Sequence, residues 1–424
     1  MRNKTSDVIL ERIMRLHPKV IDLKLNRVEC LLKKLGNPEK NLPPVIHIAG
    51  TNGKGSTQAI IKAGLEAEGK RVHSYTSPHL AWFHERITVA GKIITDGSLS
   101  QILDECYQVN ANSPITYFEM TTVAAILAFS RTKADFCILE VGLGGRFDAT
   151  NVINSPEVCI ITPISLDHQS FLGETLQEIA FEKAGILKKD CFCVVSDQDN
   201  KVLDVLKIEA ERCKATLRIF GEDWNVSEKD SSFTFKDNVG ACNLPLPALI
   251  GSHQVQNAGV ALVALRHLGI SESSFRQAMT DVVWPARMQQ LKSGPFVDIL
   301  IDSELWLDGG HNPAAAEVLA KVLASLEPKP TYLICGMLNT KDVLGYMTYL
   351  KSSVDELFSV AVPGELATLT SKETADYAVK AGIKASQVDS VEDALNKIMI
   401  LSKPSRVVIC GSLYLAGFVL RSHT

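Results

Sequence analysis

The sequence predicts an α/β protein of two units, each a mostly parallel sheet covered by helices. Three observations predict it. Short apolar runs bounded by turn residues alternate with helical patterns along most of the 424 residues, the pattern of strand–helix–strand crossovers. The run Val45-Ile46-His47-Ile48-Ala49 leads directly into Gly50-Thr51-Asn52-Gly53-Lys54-Gly55-Ser56-Thr57, and a helical pattern follows to about Glu68. At Trp284-Pro285-Ala286-Arg287 the periodicity lapses and then restarts. Residues 1–284 therefore read as one domain, 285–289 as a linker and 290–424 as a second, smaller α/β domain.

Taken in order, residues 4–35 read as two helices broken near His17-Pro18. After the glycine-rich corner, residues 71–76 form a strand, and residues 86–94, with Ala90-Gly91 at their centre, form a hairpin. Helical spacing covers about 97–109 and 119–131, and the apolar runs 135–141 and 158–163 are buried strands. A helix over about 176–188, a strand at 191–195 and a helix over about 200–213 come next. Residues 216–248 are more polar and read as a small β-rich patch, followed by helices at about 253–268 and 272–281. Beyond the linker, strands are expected near 296–307, 331–336, 355–361 and 406–411. Helices at about 313–326, 341–350, 371–381 and 391–402 lie between them.

Composition narrows the function classes. Hydrophobic residues make up 46% and charged residues 22%, ordinary for a globular chain. A net charge of -4 gives no basic surface for nucleic acid or an anionic membrane. The ten cysteines are scattered, with only Cys191-Phe192-Cys193 close together, a usage that fits neither a zinc site nor a disulfide framework. Residues 1–16 are charged throughout, and no apolar run reaches transmembrane length. The expectation is a cytoplasmic monomer whose partners are small molecules, with neither nucleic acid nor membrane among them.

Four stretches carry chemistry. Glycines at 50, 53 and 55 let the backbone approach an anion and adopt positive φ. The turn and the following helix N-terminus then point N–H groups at that anion, with the helix dipole behind them. Lys54 adds positive charge, and Ser56 or Thr57 adds a hydroxyl for a phosphate or magnesium. The common phosphate-loop pattern has Ser or Thr directly after the lysine; here Gly55 intervenes, which marks a variant loop. The second stretch is Glu140-Val141-Gly142-Leu143-Gly144-Gly145-Arg146-Phe147-Asp148-Ala149-Thr150-Asn151. Glu140 ends an apolar strand, where open α/β sheets place their ligands, and a carboxylate beside a phosphate loop suits magnesium. The third is Ser165-Leu166-Asp167-His168, where His168 is a candidate metal ligand oriented by Asp167, or a structural histidine. The fourth is Leu307-Asp308-Gly309-Gly310-His311-Asn312-Pro313, which ends a strand and opens a helix. Asp308 and His311 would lie at the sheet's carboxyl edge and face the phosphate loop across a cleft, while Asn312 reads as a helix cap. Lys183, in Ala180-Phe181-Glu182-Lys183-Ala184-Gly185-Ile186, reads either as a snorkelling surface lysine or as a residue drawn into the site.

Together these stretches resemble folylpolyglutamate synthase, an enzyme that in many bacteria is also dihydrofolate synthase and is similar to the Mur ligases. The resemblance runs over residues 47–56, Thr76-Ser77-Pro78-His79-Leu80, Glu85-Arg86-Ile87, Tyr117-Phe118-Glu119 and 140–151. It continues over 165–168 with Leu172-Gly173, Lys183-Ala184-Gly185-Ile186, His253-Gln254-Val255-Gln256-Asn257, Trp284-Pro285-Ala286-Arg287, 308–313 and Gly411-Ser412-Leu413-Tyr414. Gly310 departs from the alanine or cysteine that many members carry. The polar patch 216–248 carries no transferable motif.

The resemblance implies a P-loop-containing Mur-ligase-like ATP-binding domain and a smaller Rossmann-like glutamate-ligase domain. It implies ATP-driven conversion of a carboxylate to an acyl phosphate, which glutamate's amine displaces. The acceptors would be dihydropteroate and the glutamate tails of reduced folates. On the same footing, Gly50, Thr51, Asn52, Gly53, Lys54, Gly55, Ser56 and Thr57, with Asn257, Arg287 and Asp308, would hold ATP. Ser77, Glu140 and His168 would ligate Mg2+, and the resemblance allows a monovalent cation as well. Lys183 would be carbamylated and, with Lys54, Asp308 and His311, would serve catalysis. Phe118, Arg146, Asp148, Ala149, His311 and Ser412 would bind substrate. Two other readings stay open. A Mur-type ligase acting on a cell-wall nucleotide commonly has Lys-Thr in the loop, against Lys54-Gly55-Ser56 here. A non-catalytic nucleotide-binding protein has no need of Lys54, Glu140, His168 and Asp308 together.

Overall fold

The computed structural model of the chain describes residues 5–17, 21–401 and 404–423. Two helices, Thr5–Met14 and Asn26–Lys34, open the chain, and the expected break at His17-Pro18 falls partly outside the described residues. The chain forms two compact units. The first draws on Met1–Pro78, His84–Pro247 and Val255–Val282, the second on His79–Phe83, Ala248–Gln254 and Val283–Thr424.

The first unit is built on a sheet of eight strands. They are β1 (Val45–Ala49), β2 (Val72–Tyr75), β3 (Ile87–Val89), β4 (Lys92–Ile93), β5 (Phe136–Glu140), β6 (Val158–Ile161), β7 (Phe192–Val195) and β8 (Thr216–Ile219). Their order is β4-β3-β2-β5-β1-β6-β7-β8. The six strands from β2 to β8 in that order run parallel, and the hairpin β3–β4 closes one edge antiparallel. The hairpin turns through Ala90 and Gly91, both at positive φ, as a two-residue loop of matching twist requires. Every residue of β1 is buried, which is why its sequence is a continuous rather than an alternating apolar run. The chain leaves β1 for β2 on one side of it and later leaves β5 for β6 on the other, so the strand order reverses at β1, the point where such sheets bind ligands. Register levels the strand ends there: Ile48 pairs with Glu140 and Ala49 with Ile161.

The polar stretch 216–248 divides. Its first residues form β8 on the main sheet, and β9 (Trp224–Lys229), β10 (Ser232–Asp237) and β11 (Ala241–Pro245) make a separate antiparallel meander. Phe233 and Phe235 are buried on it while Lys236 and Ala241 stay outside, the half-buried pattern of a one-faced sheet.

The second unit's sheet contains β12 (Gln289–Leu291), β13 (Glu304–Leu307), β14 (Thr331–Cys335), β15 (Glu356–Ser359), β16 (Ala385–Gln387) and β17 (Arg406–Cys410). Their order is β12-β13-β17-β14-β15-β16, parallel except for β12. Alternate residues feed the cores on its two faces: Val407 and Ile409 join one cluster, Val408 and Cys410 the other. Three local expectations are corrected here. Residues 295–299 form a short helix instead of the start of a strand, because Gly294 at φ 111° and Pro295 at N1 open a helical turn. The strands β12 and β16 and the helix Leu413–Ser422 were not expected. The stretch read as a linker is fixed in place: Ala286 and Met288, both at positive φ, are buried in the two core clusters.

Candidate functional site

In the first unit the site forms at the carboxyl ends of β1, β5 and β6. The turn after β1 is shaped by contacts that leave no room for side chains. A Cβ on Gly50, at φ 147°, would overlap Thr162 Oγ1, and a Cβ on Gly53, at φ 86°, would lie 2.5 Å from Asn257 Oδ1. The loop is tied to the segment after β6: Pro163 O accepts from Thr51 N at 2.9 Å and from Asn52 N at 3.2 Å, and Ser165 N donates to Thr51 Oγ1 at 3.1 Å. The helix Lys54–Ala67 begins at the lysine, with Gly53 as its N-cap. Ser56 and Thr57 are buried in its first turn, and Thr57 Oγ1 has no hydrogen-bond partner among the described residues.

Two amines converge on one carbonyl of this loop. Lys54 Nζ donates to Gly50 O and Thr51 O, both at 3.2 Å. Lys183 Nζ donates to the same Gly50 O at 2.9 Å. Lys183 is only 5% exposed, so it is no surface lysine. Burial first, and the Lys54 charge second, push its pKa down to about 7.

Glu140 ends β5, and its Oε2 accepts from Ser77 N at 3.3 Å. Ser77 Oγ is buried and has no hydrogen-bond partner among the described residues. The peptide bond between Ser77 and Pro78 is cis. His168 sits at φ 53° beside Asp167, whose Oδ1 accepts from the His168 backbone N at 2.8 Å and lies 3.9 Å from Nε2. Its side chain is 42% exposed. Among the described residues no group of three or more His, Cys, Asp or Glu is gathered as a metal site. The contact that joins the expected ligands Ser77 and Glu140 is the one from the Ser77 backbone N–H to the Glu140 carboxylate.

The loop 142–151 folds round Asp148. That carboxylate is buried and accepts from Gly142 N at 3.1 Å, Leu143 N at 2.9 Å, Thr150 N at 3.0 Å and the Thr150 hydroxyl at 2.6 Å. Burial pushes its pKa up, against those hydrogen bonds. Asp148 and the buried Ala149 thus shape the loop from inside. Phe118 is half-buried in the first turn of the helix Tyr117–Ser130, and a Cβ on Gly142 would overlap its ring. Arg146 turns elsewhere: it donates to Glu209 Oε2 at 2.8 Å and to Phe181 O at 3.0 Å, and its guanidinium lies 3.9 Å from the Phe181 ring centre. In this structure its partners are protein groups. Sequence reading missed Thr162, against which Gly50 packs, and gave no role to Asn151, whose amide donates to Arg146 O at 3.0 Å and Gly185 O at 3.1 Å.

In the second unit Arg287, Asp308, His311 and Ser412 share one corner. Asp308 accepts from Met288 N at 3.0 Å and Gly310 N at 2.8 Å, and His311 Nδ1 lies 3.0 Å from Gly309 O. A Cβ on Gly309 would lie 3.0 Å from Arg287 Nη1 and overlap Leu413. Asn312 caps the helix Pro313–Ser325 through Ala315 N at 2.9 Å, as its place before Pro313 predicts. Ser412 caps the helix Leu413–Ser422.

The Mur ligase middle domain family matches residues 48–265, and the Mur ligase glutamate ligase domain family matches residues 287–413. The chain is 34% identical over 418 residues to the dihydrofolate synthase/folylpolyglutamate synthase of Escherichia coli, covering 97% of this chain and 94% of that one. The chain belongs to the dihydrofolate synthase/folylpolyglutamate synthase family of Mur ligases. Two solved members of the family superpose on nearly its whole length. Escherichia coli FolC in complex with DHPP and ADP gives a TM-score of 0.88 at 33% identity, covering 99% of this chain and 97% of that one. A bifunctional folylpolyglutamate synthase/dihydrofolate synthase with Mn, AMPPNP and L-glutamate bound gives 0.86 at 30% identity, covering 99% of each. The expected fold class and family are thereby borne out.

Proposed function

We propose that this chain is an ATP-dependent carboxylate–amine ligase that joins L-glutamate to dihydropteroate, giving dihydrofolate, and to the glutamate tails of reduced folates. The observation that carries the reading is the convergence of Lys54 and Lys183 on the Gly50 carbonyl of the phosphate loop, at the strand edge that holds Glu140 and Ser77.

The residues divide the chemistry. Phosphoryl transfer needs charge neutralised at the β- and γ-phosphates. The N–H groups at the start of the helix Lys54–Ala67 and the Lys54 ammonium supply it, with Asn257 closing over Gly53. The hydroxyls of Ser77 and Thr57, without hydrogen-bond partners among the described residues, and the Glu140 carboxylate are oxygen groups that would suit a hard cation, and His168 is a further candidate ligand. Magnesium, when bound there, would neutralise charge on the transferring phosphoryl group; a monovalent cation is a further proposed ligand. The acceptor carboxylate becomes an acyl phosphate, and the amine of glutamate displaces phosphate. The acceptor's flat ring lies against Phe118 and the 142–151 loop. Arg287, Asp308, His311 and Ser412 serve the nucleotide and glutamate from the second unit. Lys183, held near neutrality, has an amine nucleophilic enough to take up CO2, releasing a proton and becoming a carbamate whose negative charge suits a site between cations. The same proposal includes a monomer in the cytoplasm. Its ten cysteines are free, and among the described residues no helix is long and apolar enough to cross a membrane.

One assay tests the whole reading. Purified protein is given ATP, magnesium and glutamate with dihydropteroate, tetrahydrofolate or a UDP-muramyl peptide, and ADP release is scored. Release with the first two is expected. Release with the muramyl peptide alone overturns the folate assignment, and release with tetrahydrofolate but not dihydropteroate restricts the activity to tail extension.

A further inference from the structure

One buried group adjoins the site without belonging to it. His47 lies at the centre of β1, fully buried, between Leu139 of β5 and Cys159 of β6 in register. A histidine in a parallel strand buried on both faces needs a reason, since its ring carries two polar nitrogens. Its Nε2 lies 2.9 Å from Thr150 Oγ1. Its Nδ1 has no hydrogen-bond partner among the described residues.

The hydrogen bonds fix the direction of the chain. The Thr150 hydroxyl has one hydrogen and donates it to Asp148 Oδ1 at 2.6 Å. Thr150 Oγ1 therefore accepts from His47, which makes Nε2 the protonated nitrogen. Asp148 in turn accepts from the Gly142, Leu143 and Thr150 amides. The result is a line of hydrogen bonds from the strand that leads into the phosphate loop to the backbone of the loop packed on Phe118. Burial, with Lys188 nearby, holds the His47 pKa down to about 3, so the ring stays a neutral donor at every pH of interest.

We propose that His47 and Thr150 are positioning residues for the acceptor: they clamp Asp148 and thereby set the shape of the 142–150 loop against Phe118. The inference rests on the reading of that loop as the acceptor's. Thr150 is fully buried and Asp148 nearly so, so their side chains act through the loop backbone. Removing the hydroxyl leaves Asp148 with three backbone donors and a buried His47 N–H with none, a change that loosens the loop without touching the nucleotide contacts.

Thr150→Val and Thr150→Ser test it, with His47→Leu as a third variant; should His47→Leu fail to fold, the Thr150 pair decides. Hydrogen exchange of the 142–150 amides is measured together with the Michaelis constants for dihydropteroate and ATP. For Thr150→Val we expect exchange in that segment and the dihydropteroate KM each to rise about tenfold, the ATP KM to stay within about twofold, and Thr150→Ser to restore both. Unchanged exchange in Thr150→Val overturns the clamp itself. Faster exchange with an unchanged dihydropteroate KM overturns the proposal from the other side, because the loop then moves without the acceptor sensing it. Equal rises in both Michaelis constants, not restored by serine, mean general destabilisation and overturn it too.

Discussion

Replacing Lys183 with methionine should make the ligand-free protein more stable while abolishing its activity. Lys183 is buried at 5% exposure, and its pKa falls from 10.5 to about 7. A tenfold change in proton affinity is worth about 1.4 kcal/mol, so holding this amine costs folding roughly 5 kcal/mol at the limit. The sign follows from the protons bound. Between pH 7 and 10.5 the unfolded chain keeps a proton that the folded chain has lost, so stability rises with pH across that window. Below pH 7 the whole penalty is present, and above pH 10.5 it is gone. Methionine has similar length and no charge, so Lys183→Met removes the penalty. It also removes the hydrogen bond to Gly50 O, worth about 1.5–3 kcal/mol from a charged donor, although Lys54 still donates to that carbonyl. The net gain is then about 2–3 kcal/mol near pH 6.5, a rise in Tm of a few degrees, shrinking towards zero or below by about pH 9.5. Thermal melts in CO2-free buffer at those two pH values, without nucleotide, measure it. A variant less stable than wild type at pH 6.5, or a difference in Tm that does not change with pH, refutes the reasoning that Lys183 is a buried amine held against its charge.

Other substitutions separate the remaining roles. Lys54→Ala should lower turnover by about 10²–10³, the size of one lost charge-stabilising donor, with far-UV circular dichroism unchanged; turnover within about threefold of wild type would remove Lys54 from phosphoryl transfer. Glu140→Gln and Ser77→Ala should each raise the magnesium concentration needed for half-maximal activity by about tenfold, with the dihydropteroate KM steady, because a strand-end carboxylate and a buried hydroxyl with no hydrogen-bond partner among the described residues are the oxygens proposed to hold the cation. An unchanged magnesium titration in both would place the cation elsewhere. Phe118→Ala should raise the dihydropteroate KM more than the ATP KM, by about threefold to tenfold for a lost aromatic stack. Equal effects on both would make Phe118 a packing residue only.

Chemistry carried by neighbouring residues was legible in the sequence. The phosphate loop, the strand-end Glu140 and the Asp308–His311 corner each lie within a dozen residues, and each follows an apolar strand, so local pattern was enough to place them on sheet edges. What the sequence could not show are partners set by tertiary packing. Lys183 meets Gly50 across 133 positions, and nothing in the helical period of Leu176–Ala184 says which face meets the loop. Arg146 sits within a ligand-loop motif yet pairs with Glu209, 63 residues on. The residues read as a linker carry no periodic signal, yet two of them are buried through positive φ values that the sequence marks with neither glycine nor asparagine. Segments His79–Phe83 and Ala248–Gln254 belong to the second unit although they lie within the stretch 1–284 that reads as the first domain. Arg421 donates to Ala81 O at 3.1 Å, a contact that ties the first of these segments to the second unit and that no window of sequence contains.

The groups at the phosphate loop share a physical logic that joins stability to function. Two lysines point at one carbonyl, and the buried hydroxyls of Ser77 and Thr57 lack hydrogen-bond partners among the described residues. Each is unfavourable for folding alone, through like-charge repulsion in one case and desolvation in the other. Each is relieved by the same partners, an anion against the lysines and a cation against the hydroxyls, which is what a metal–nucleotide pair supplies. The protein should therefore gain more stability from nucleotide with magnesium than from either alone. At a hundredfold excess over Kd the gain is about 2.7 kcal/mol. Lys183→Met, already relieved of its repulsion, should gain less. Equal stabilisation of wild type and variant by the pair would mean that Lys183 does not sense the bound anion, and that its burial serves the fold alone.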